Sequence, residues 1–173
     1  DFDALAKAAH ADGIKIVVDI VPNHSSNLHE WFKAALAAKP GSPERDRYIF
    51  RDGKGPNGDE PPTNWQNHFG GPAWTRVPDG QWYLHMFTKE QPDWNWENKE
   101  VRDKIYKMIN WWLDKGLAGF RIDAIINIKK ALPWRDYPAN RADGMCSPGE
   151  MLKHAVGVGE FLGEMRDRTF LPH

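Results

Sequence analysis

The sequence predicts an α/β fold in which buried parallel strands alternate with helices. Three segments support this prediction: a β-branched, almost continuously apolar run over residues 14–22, a long amphipathic helix over 98–116, and the strand-like GLAGFRIDAI over 116–125. Parallel strands are covered by helices on both faces, so they read as continuous apolar runs. Two such units fit either a doubly wound sheet or part of a (β/α)8 barrel, which needs about 250 residues when complete.

The composition of the 173-residue chain excludes several classes of protein. Lys and Arg number 23 against 24 Asp and Glu, so no basic surface indicates nucleic acid or an anionic membrane as a partner. No run approaches the ~18 apolar residues of a membrane helix. The lone Cys146 excludes an intramolecular disulfide and weakly favours a reducing, cytoplasmic location. The chain begins without methionine inside a helix-like pattern, so a signal peptide or anchor could precede it.

The first predicted helix ends just before the first predicted strand. The dipeptide Asp12–Gly13 supplies its C-terminal stop, and residues 14–22 then form the strand. Polar residues follow at the tip of this strand, at Asn23 and His24. The apolar residues that define the helix recur at helical spacing: Phe2, Leu5, Ala8 and Ala9.

Residues 25–97 are predicted to form an inserted subdomain. Connections between strands and helices usually have about 2–6 residues, and this segment is far longer. A short helix is predicted over 28–38, and QWYLHMF over 81–87 is strand-like. Five of the nine tryptophans lie between Trp65 and Trp96, a composition unlike that of disordered chains. We therefore expect a small, irregular subdomain with at least one hairpin.

The clearest predicted helix runs from Asn98, as its N-terminal cap, to Gly116. A further helix is predicted over residues 148–168. The chain is thus divided into barrel residues 1–24, an insertion at 25–97 and barrel residues 98–173. The long helix has one apolar face, which consists of Val101, Ile105, Met108, Ile109 and Trp112.

Arg121 and Asp123 share one face of the second predicted strand. Alternate residues of a strand point to the same side, so the two charges project together. A structural ion pair is the ordinary interpretation of such a pattern. The alternative is a functional site, because α/β barrels build their sites at the carboxyl ends of strands. An adjacent arginine would also keep the aspartate ionised, as a carboxylate nucleophile requires.

The segment QPDWNWEN over residues 91–98 has two interpretations. Trp94 and Trp96 could be core residues at a capped helix entry. Aromatic rings beside amide and carboxylate groups are also typical of sugar-binding sites. The histidines and glutamate near the first strand, His24, His29 and Glu30, fit no zinc-binding spacing, so no metal site is predicted there.

Three separated stretches, DIVPNH over 19–24, QPDWNWEN and GFRIDAI over 119–125, resemble the ordered motifs of glycoside hydrolase family 13, the α-amylase superfamily. NWQNHFGGPAW and WYLHMFTKEQPDWNWEN also resemble the inserted subdomain of its α-glucosidase and oligo-1,6-glucosidase branch. The resemblance implies a partial (β/α)8 TIM barrel, from about strand 3 to the helix after strand 4, with an inserted subdomain B. It also implies that the chain is an internal fragment of a longer enzyme.

The resemblance assigns roles to individual residues. Asp123 matches the nucleophile that forms a covalent glucosyl intermediate, and Arg121 matches the arginine that orients it. His24 matches a histidine that hydrogen-bonds the sugar at the cleaved position. Asn23 and Asp19 match residues that shape the end of the third barrel strand, with Asp19 structural. Three residues match walls of the glucose pocket: Phe69, Phe87 and Gln91.

Double displacement by a retaining glycosidase needs a second carboxylic acid about 5–5.5 Å from the nucleophile. The resemblance places that acid beyond His173, since Glu160 and Glu164 are expected on a helix surface. We therefore expect these residues alone to be inactive. No cofactor is implied. Calcium is conceivable at RDGKGPNGDE over 51–60, but this segment lacks the carboxylate alternation of an EF-hand, which favours a surface loop.

The expected substrate is a small α-glucoside, and the small residue Ala124 after the nucleophile resembles enzymes that prefer α-1,4 over α-1,6 linkages. Trehalose-6-phosphate hydrolysis and transglycosylation remain alternatives on the same site. A third alternative is a non-enzymatic homologue, like the heavy chains of amino-acid transporters. The presence of Asp123, Arg121 and His24 together favours an enzyme. The sequence does not predict the oligomeric state.

Overall fold

The computed structural model describes residues 1–173 and contains one parallel and one antiparallel sheet. Strands β1 (Val17–Ile20) and β5 (Gly119–Ile122) pair in parallel, with Asp19 directly opposite Arg121. Helix α1 (Phe2–Ala11) precedes β1 and ends at Asp12, as predicted. The predicted alternation of helices with parallel strands is therefore confirmed.

Strand β1 is less buried than its apolar sequence predicts. Val17 is 56% exposed and Val21 is 43% exposed, whereas Ile20 is buried. The sheet has only two strands, so β1 has a neighbour on one edge only and fewer of its side chains are covered than in a larger sheet. The prediction of a strand buried on both faces is wrong for the chain as described.

The segment between the parallel strands carries its own small sheet. Helices α2 (Glu30–Ala37) and α3 (Pro43–Asp46) lead into β2 (Phe50–Asp52). Strands β3 (Trp74–Arg76) and β4 (Gln81–Leu84) form the predicted hairpin, and β4 lies in the centre of the antiparallel order β2-β4-β3. The predicted division of the chain at residues 24 and 97 stays a prediction.

Helix α4 (Lys99–Asp114) begins at the predicted cap, where the Asn98 side chain accepts a hydrogen bond from the Glu100 N–H at 2.8 Å. Its buried face differs in part from the prediction. Tyr106 is 1% exposed, whereas the predicted Met108 is 37% exposed. The buried face of α4 consists of Val101, Ile105, Tyr106 and Ile109.

The single helix predicted over residues 148–168 is two helices, α5 (Pro148–Leu152) and α6 (Val158–Met165), followed by a π-helical turn, Arg166–Phe170. Gly157 lies between them with φ at 100°. This left-handed conformation is accessible to glycine and interrupts a continuous helix. None of the helices combines the length and apolar character that a membrane crossing requires.

Two hydrophobic clusters form the interior. The first joins Ile20 and α4 to aromatic residues of the insertion, including Phe32, Tyr48 and Trp94. The second packs residues of the insertion against the segment after β5, and its members are Ile49, Trp65, Ala73, Trp74, Leu84, Met86, Ala131, Tyr137, Cys146 and Met151. At the carboxyl end of β1, Asn23 contacts both the insertion, at Asp93, and the segment after β5, at Lys130.

Candidate active site

Arg121 is held between two carboxylates at the ends of the parallel strands. Its Nη1 donates to Asp19 Oδ2 at 2.6 Å, and its Nη2 donates to Asp123 Oδ1 at 3.1 Å. The side chains of Arg121 and Asp123 are 63% and 46% exposed, so the pair is open to solvent. Hydrogen bonding to Asp19, reinforced by the charges of Asp19 and Asp123, raises the pKa of the Arg121 guanidinium. The arrangement leaves an accessible carboxylate with a fixed orientation.

The backbone turns sharply immediately after Asp123. The Asp123 N–H continues the strand pairing by donating to the Ile20 carbonyl at 2.9 Å. Ala124 then adopts a left-handed conformation with φ at 51°, and a 3₁₀ turn, Ile125–Asn127, follows. A non-glycine residue is uncommon in this region, and such strain often occurs at functional sites. This turn ends the strand at the carboxylate.

The predicted pocket residues of the insertion contact one another beside the tip of β1. Gln91 Nε2 lies 3.0 Å from His24 Nε2. The ring of Phe87 lies 5.0 Å from that of His24 and 6.0 Å from that of Phe69, measured between centroids. Phe69 is 71% exposed. The fold therefore joins these four residues into one wall, and their role in binding glucose stays a prediction.

His68 and Asn127 also belong to this wall, although they were not predicted from the sequence. His68 Nε2 lies 2.8 Å from the buried Asn127 Oδ1, and the His68 ring stacks on Phe87 at 4.9 Å. Asn127 follows Asp123 by four residues. A histidine beside a predicted pocket phenylalanine was the available signal, but its partner lies 59 residues away in the chain.

Behind His24 lies a buried polar network that joins three distant segments. Lys130 Nζ contacts Asp93 Oδ2 at 2.8 Å and donates to Asn23 Oδ1 at 2.9 Å. Its third partner is the carbonyl of Asn127. Asp93 Oδ1 accepts from Asn23 Nδ2 at 3.1 Å and from the Met86 N–H at 3.2 Å. Asn23 and Asp93 are fully buried, and Lys130 is 5% exposed.

The environment of this network favours a neutral His24 and a paired Lys130. Burial lowers the pKa of His24, the charges of Asp93 and Asp123 oppose this, and the charge of Lys130 adds to it. Burial also lowers the pKa of Lys130, whereas Asp93 raises it. Removing one partner from a buried ion pair commonly costs about 3–5 kcal/mol, so the network is costly to break.

Trp94 and Trp96 are core residues, which decides between the two interpretations of QPDWNWEN. Trp94 stacks on Tyr48 with centroids 4.4 Å apart, and it is 9% exposed. The Trp96 indole N–H donates to the Pro22 carbonyl at 2.8 Å and is buried. Of this segment, the Gln91 side chain contacts His24.

The groups considered for metals make ordinary protein contacts. His29 caps α2 by accepting a hydrogen bond from the Trp31 N–H at 3.1 Å. In the segment 51–60, Asp52 accepts from Gln81 at 2.9 Å, and the backbones of Lys54 and Glu60 pair. No group of three or more His, Cys, Asp or Glu side chains is arranged to hold a metal ion.

Comparison with known proteins identifies relatives along almost the whole chain. The family model "Alpha amylase, catalytic domain" matches residues 1–170. The probable oligo-1,6-glucosidase 3 of Bacillus subtilis (strain 168) is 44% identical over 171 residues, which is 98% of this chain and 30% of that protein. The trehalose-6-phosphate hydrolase of the same bacterium is 40% identical, covering 98% of this chain and 29% of that protein.

Solved structures agree in fold. The crystal structure of Bacillus licheniformis trehalose-6-phosphate hydrolase matches with a TM-score of 0.87 at 43% identity, over 98% of this chain and 29% of that one. The trehalulose synthase MutB of Pseudomonas mesoacidophila MX-45 matches with a TM-score of 0.84 at 36% identity, over 98% and 29% of the two chains. The parallel strands are therefore part of a (β/α)8 barrel, and the chain spans about 30% of the relatives' length. These 173 residues belong to the α-amylase family of glycoside hydrolases.

Proposed function

We propose that these residues are the nucleophile-bearing part of a retaining α-glucosidase that hydrolyses short α-linked gluco-oligosaccharides. One observation carries the proposal: Arg121 orients an accessible Asp123 carboxylate at a barrel-strand end, beside the wall that contains His24 and Gln91. Phe87 and Phe69 add apolar ring faces, which suit the flat face of a pyranose. An α-glucosidase fits the glucosidase activities for which the relatives are named, and the chemistry needs no cofactor.

The reaction follows from the chemistry of a paired carboxylate. An Asp123 oxygen attacks the anomeric carbon, and the glycosidic C–O bond breaks as a carboxylic acid protonates the leaving oxygen. The acid is now a carboxylate and accepts a proton from water as the water attacks the glucosyl ester. The ester bond breaks and Asp123 is released. Arg121 keeps the carboxylate oriented throughout, while His24 and Gln91 hydrogen-bond the sugar hydroxyls.

We propose that the second carboxyl group lies in the region of the full-length protein that corresponds to the part of the relatives outside the match. Asp19 is unsuited to the role because its carboxylate is held by Arg121 at 2.6 Å. Glu164 is unsuited because it binds Arg102 on α4 at 2.8 Å. Measurements of turnover therefore use the full-length protein that contains these residues.

Replacing Asp123 tests its role as the nucleophile. We expect Asp123→Ala to lower kcat for 4-nitrophenyl α-glucoside by roughly 10³-fold or more, because no covalent ester can form. Azide fills the space of the lost carboxylate and should attack the same carbon, yielding β-glucosyl azide. Asp59→Ala, in an exposed loop, is the matched control. Retained turnover in Asp123→Ala would remove this residue from the mechanism.

The linkage preference is the finest part of the proposal. Ala124, the residue after the nucleophile, is small, as in relatives that prefer α-1,4 links, and we propose a slight preference for those links. Several relatives are named oligo-1,6-glucosidases, so the α-1,6 linkage is the competing expectation. The kcat/KM values for maltose, isomaltose and trehalose 6-phosphate decide it. A higher value for isomaltose would refute the α-1,4 preference, and a higher value for trehalose 6-phosphate would favour the alternative substrate.

A further inference from the structure

The orientation of the Asn23 amide is determined by the ion pair behind it. Asn23 Oδ1 accepts from the Lys130 ammonium at 2.9 Å, and Asn23 Nδ2 donates to the Asp93 carboxylate at 3.1 Å. Rotating the amide by 180° would turn its oxygen toward a carboxylate and its N–H₂ toward an ammonium. Both contacts would then be repulsive. The observed orientation is therefore the only one that satisfies both charges.

This orientation directs an amide donor at His24. The second hydrogen of Asn23 Nδ2 faces His24 Nδ1 at 3.2 Å. An amide nitrogen cannot accept a hydrogen bond, so a hydrogen on Nδ1 would meet another donor. Nδ1 must accept, and a neutral imidazole then carries its single hydrogen on Nε2.

Gln91 sits at the opposite nitrogen of the ring and is the weaker constraint. Its Nε2 lies 3.0 Å from His24 Nε2, and its Oε1 contacts the Thr88 N–H at 3.3 Å and hydroxyl at 3.2 Å. Both Thr88 contacts are long and uncharged, whereas Asn23 is held by two charged groups. Charge-assisted hydrogen bonds are about twice as strong as neutral ones. Turning the Gln91 amide so that its oxygen faces the His24 Nε2–H leaves its nitrogen beside the Thr88 hydroxyl, which can accept, and gives up the 3.3 Å contact with the Thr88 N–H. That loss is smaller than the cost of turning Asn23 against two charges, so Gln91 adapts to the Nε2–H tautomer.

We propose that Lys130 is a positioning residue that, with Asp93 and through Asn23, fixes His24 as the Nε2–H tautomer. His24 then presents a hydrogen-bond donor at Nε2, the nitrogen that lies next to Gln91. In the proposed glucosidase, which this last step presupposes, a sugar hydroxyl replaces Gln91 Oε1 as the acceptor of this hydrogen. Lys130 itself touches no substrate, because it is buried among Asn23, Asp93 and Asn127.

The wild-type tautomer is the first test. The ring nitrogens of ¹⁵N-histidine-labelled full-length protein are observed by NMR at pH 7.5, with His24 assigned by the loss of its signals in His24→Gln. We expect Nε2 protonated and Nδ1 unprotonated. A ring protonated on Nδ1, or an even mixture of tautomers, would overturn the proposal without any variant of the network.

Variants of the ion pair separate positioning from stability. Lys130→Met should give a mixture of His24 tautomers, and so should the charge-free double variant Lys130→Met/Asp93→Asn, which avoids a lone buried carboxylate. Arg45→Met is the matched control, because Arg45 is also a buried cation in an ion pair, 2.6 Å from the exposed Asp79, outside the site. It should leave the His24 signals unchanged. An unchanged tautomer in both Lys130 variants would refute the role of Lys130.

Kinetics supply the second readout. The folded double variant should lose about 10-fold in kcat/KM, the size typical of residues that orient a ligand-binding group, whereas folded Arg45→Met should not. Equal losses in both, tracking the loss of folded protein, would show a structural role only. If the wild-type protein hydrolyses no α-glucoside, the proposed function fails, while the NMR result still decides the tautomer.

Discussion

His85 shows how a single buried side chain supports the pocket wall. It is 3% exposed, its Nε2 lies 2.8 Å from the Thr75 hydroxyl, and its Nδ1 lies 3.1 Å from the Phe87 carbonyl. A carbonyl can only accept, so the Nδ1–H of the neutral ring donates to Phe87. Burial lowers the pKa of His85, and this ring therefore stays neutral in the folded protein at neutral pH.

This burial predicts a loss of stability in acid. Below the ordinary histidine pKa of 6.5 the unfolded chain takes up a proton that folded His85 resists. The free energy of unfolding therefore decreases as the pH is lowered. We expect His85→Gln to lose less stability than the wild type between pH 7.5 and 5, measured by urea denaturation. The exposed His10→Gln is the control and should keep the wild-type slope. Identical slopes for His85→Gln and the wild type would contradict the prediction.

Residue identities were predictable where a motif is local and were missed where a partner is distant. Asp123, Arg121 and His24 lie in short recognisable stretches, and the structure brings them to one edge. Lys130 was missed because a lysine after an apolar run reads as a surface residue. Its buried position follows from contact with Asn23, 107 residues away, which no local pattern encodes.

Among the elements, α4 has the most clearly defined start. The Asn98 side chain accepts from the Glu100 N–H at 2.8 Å, and its Nδ2 donates to Asp46 Oδ2 at 2.8 Å. One residue thus caps the barrel helix and binds α3 of the insertion. The cap was predictable from sequence, but the contact with Asp46 was not. The break between α5 and α6 was also missed, because the apolar spacing continues past Gly157.

Removing the Asn98 side chain should weaken the start of α4. We expect Asn98→Ala to lower the free energy of unfolding by about 1–2 kcal/mol, because the cap and the Asp46 contact are both lost. Asn98→Ser keeps a capping hydroxyl and should recover part of the loss. Asn57→Ala, at an exposed position, should change stability by less than about 0.5 kcal/mol. Chemical denaturation monitored by circular dichroism measures all three, and an Asn98→Ala change as small as the Asn57 control would refute the role.

Across the whole molecule, the second hydrophobic cluster ties the insertion to the segment after β5. Trp65 is 1% exposed, and its indole N–H donates to the Arg135 carbonyl at 2.9 Å. Asn64 adds two contacts, from its Nδ2 to the Tyr137 carbonyl at 2.8 Å and from its N–H to Asp136 at 2.8 Å. The wall that carries Phe69 is thereby fixed to the chain that carries Asp123.

Two tryptophans provide a matched test of this packing. Trp65→Ala should lower the free energy of unfolding by about 3–5 kcal/mol, because it leaves a large cavity and an unpaired Arg135 carbonyl. Trp111, on α4, is 52% exposed, and Trp111→Ala should cost less than about 1 kcal/mol. Thermal and urea unfolding compare the two variants. Similar costs would mean that the second cluster does not stabilise the insertion.

The fold class and the insertion could be predicted from the alternation of helices and strands and from the length and tryptophan content of residues 25–97. The packing of residues 25–97 against the segment after β5 could not be predicted. Cys146 lies just before the helix predicted over 148–168 and Met151 lies within it, yet both pack in the second cluster with Trp65 and Trp74. Such contacts depend on where the chain after β5 folds back, which composition and periodicity do not specify.

The pairing of Asp19 with Arg121 across β1 and β5 has a consequence for how the sheet assembles. In a parallel pair, a slip of one residue turns every side chain of one strand to the opposite face. Arg121 would then lie opposite Val18 or Ile20, and Asp19 would lose its counter-charge. In the misaligned sheet Asp19 would be unpaired, and Arg121 and Asp123, which move together at the end of β5, would be displaced. The same guanidinium that orients the carboxylate therefore also distinguishes correct from incorrect strand pairing.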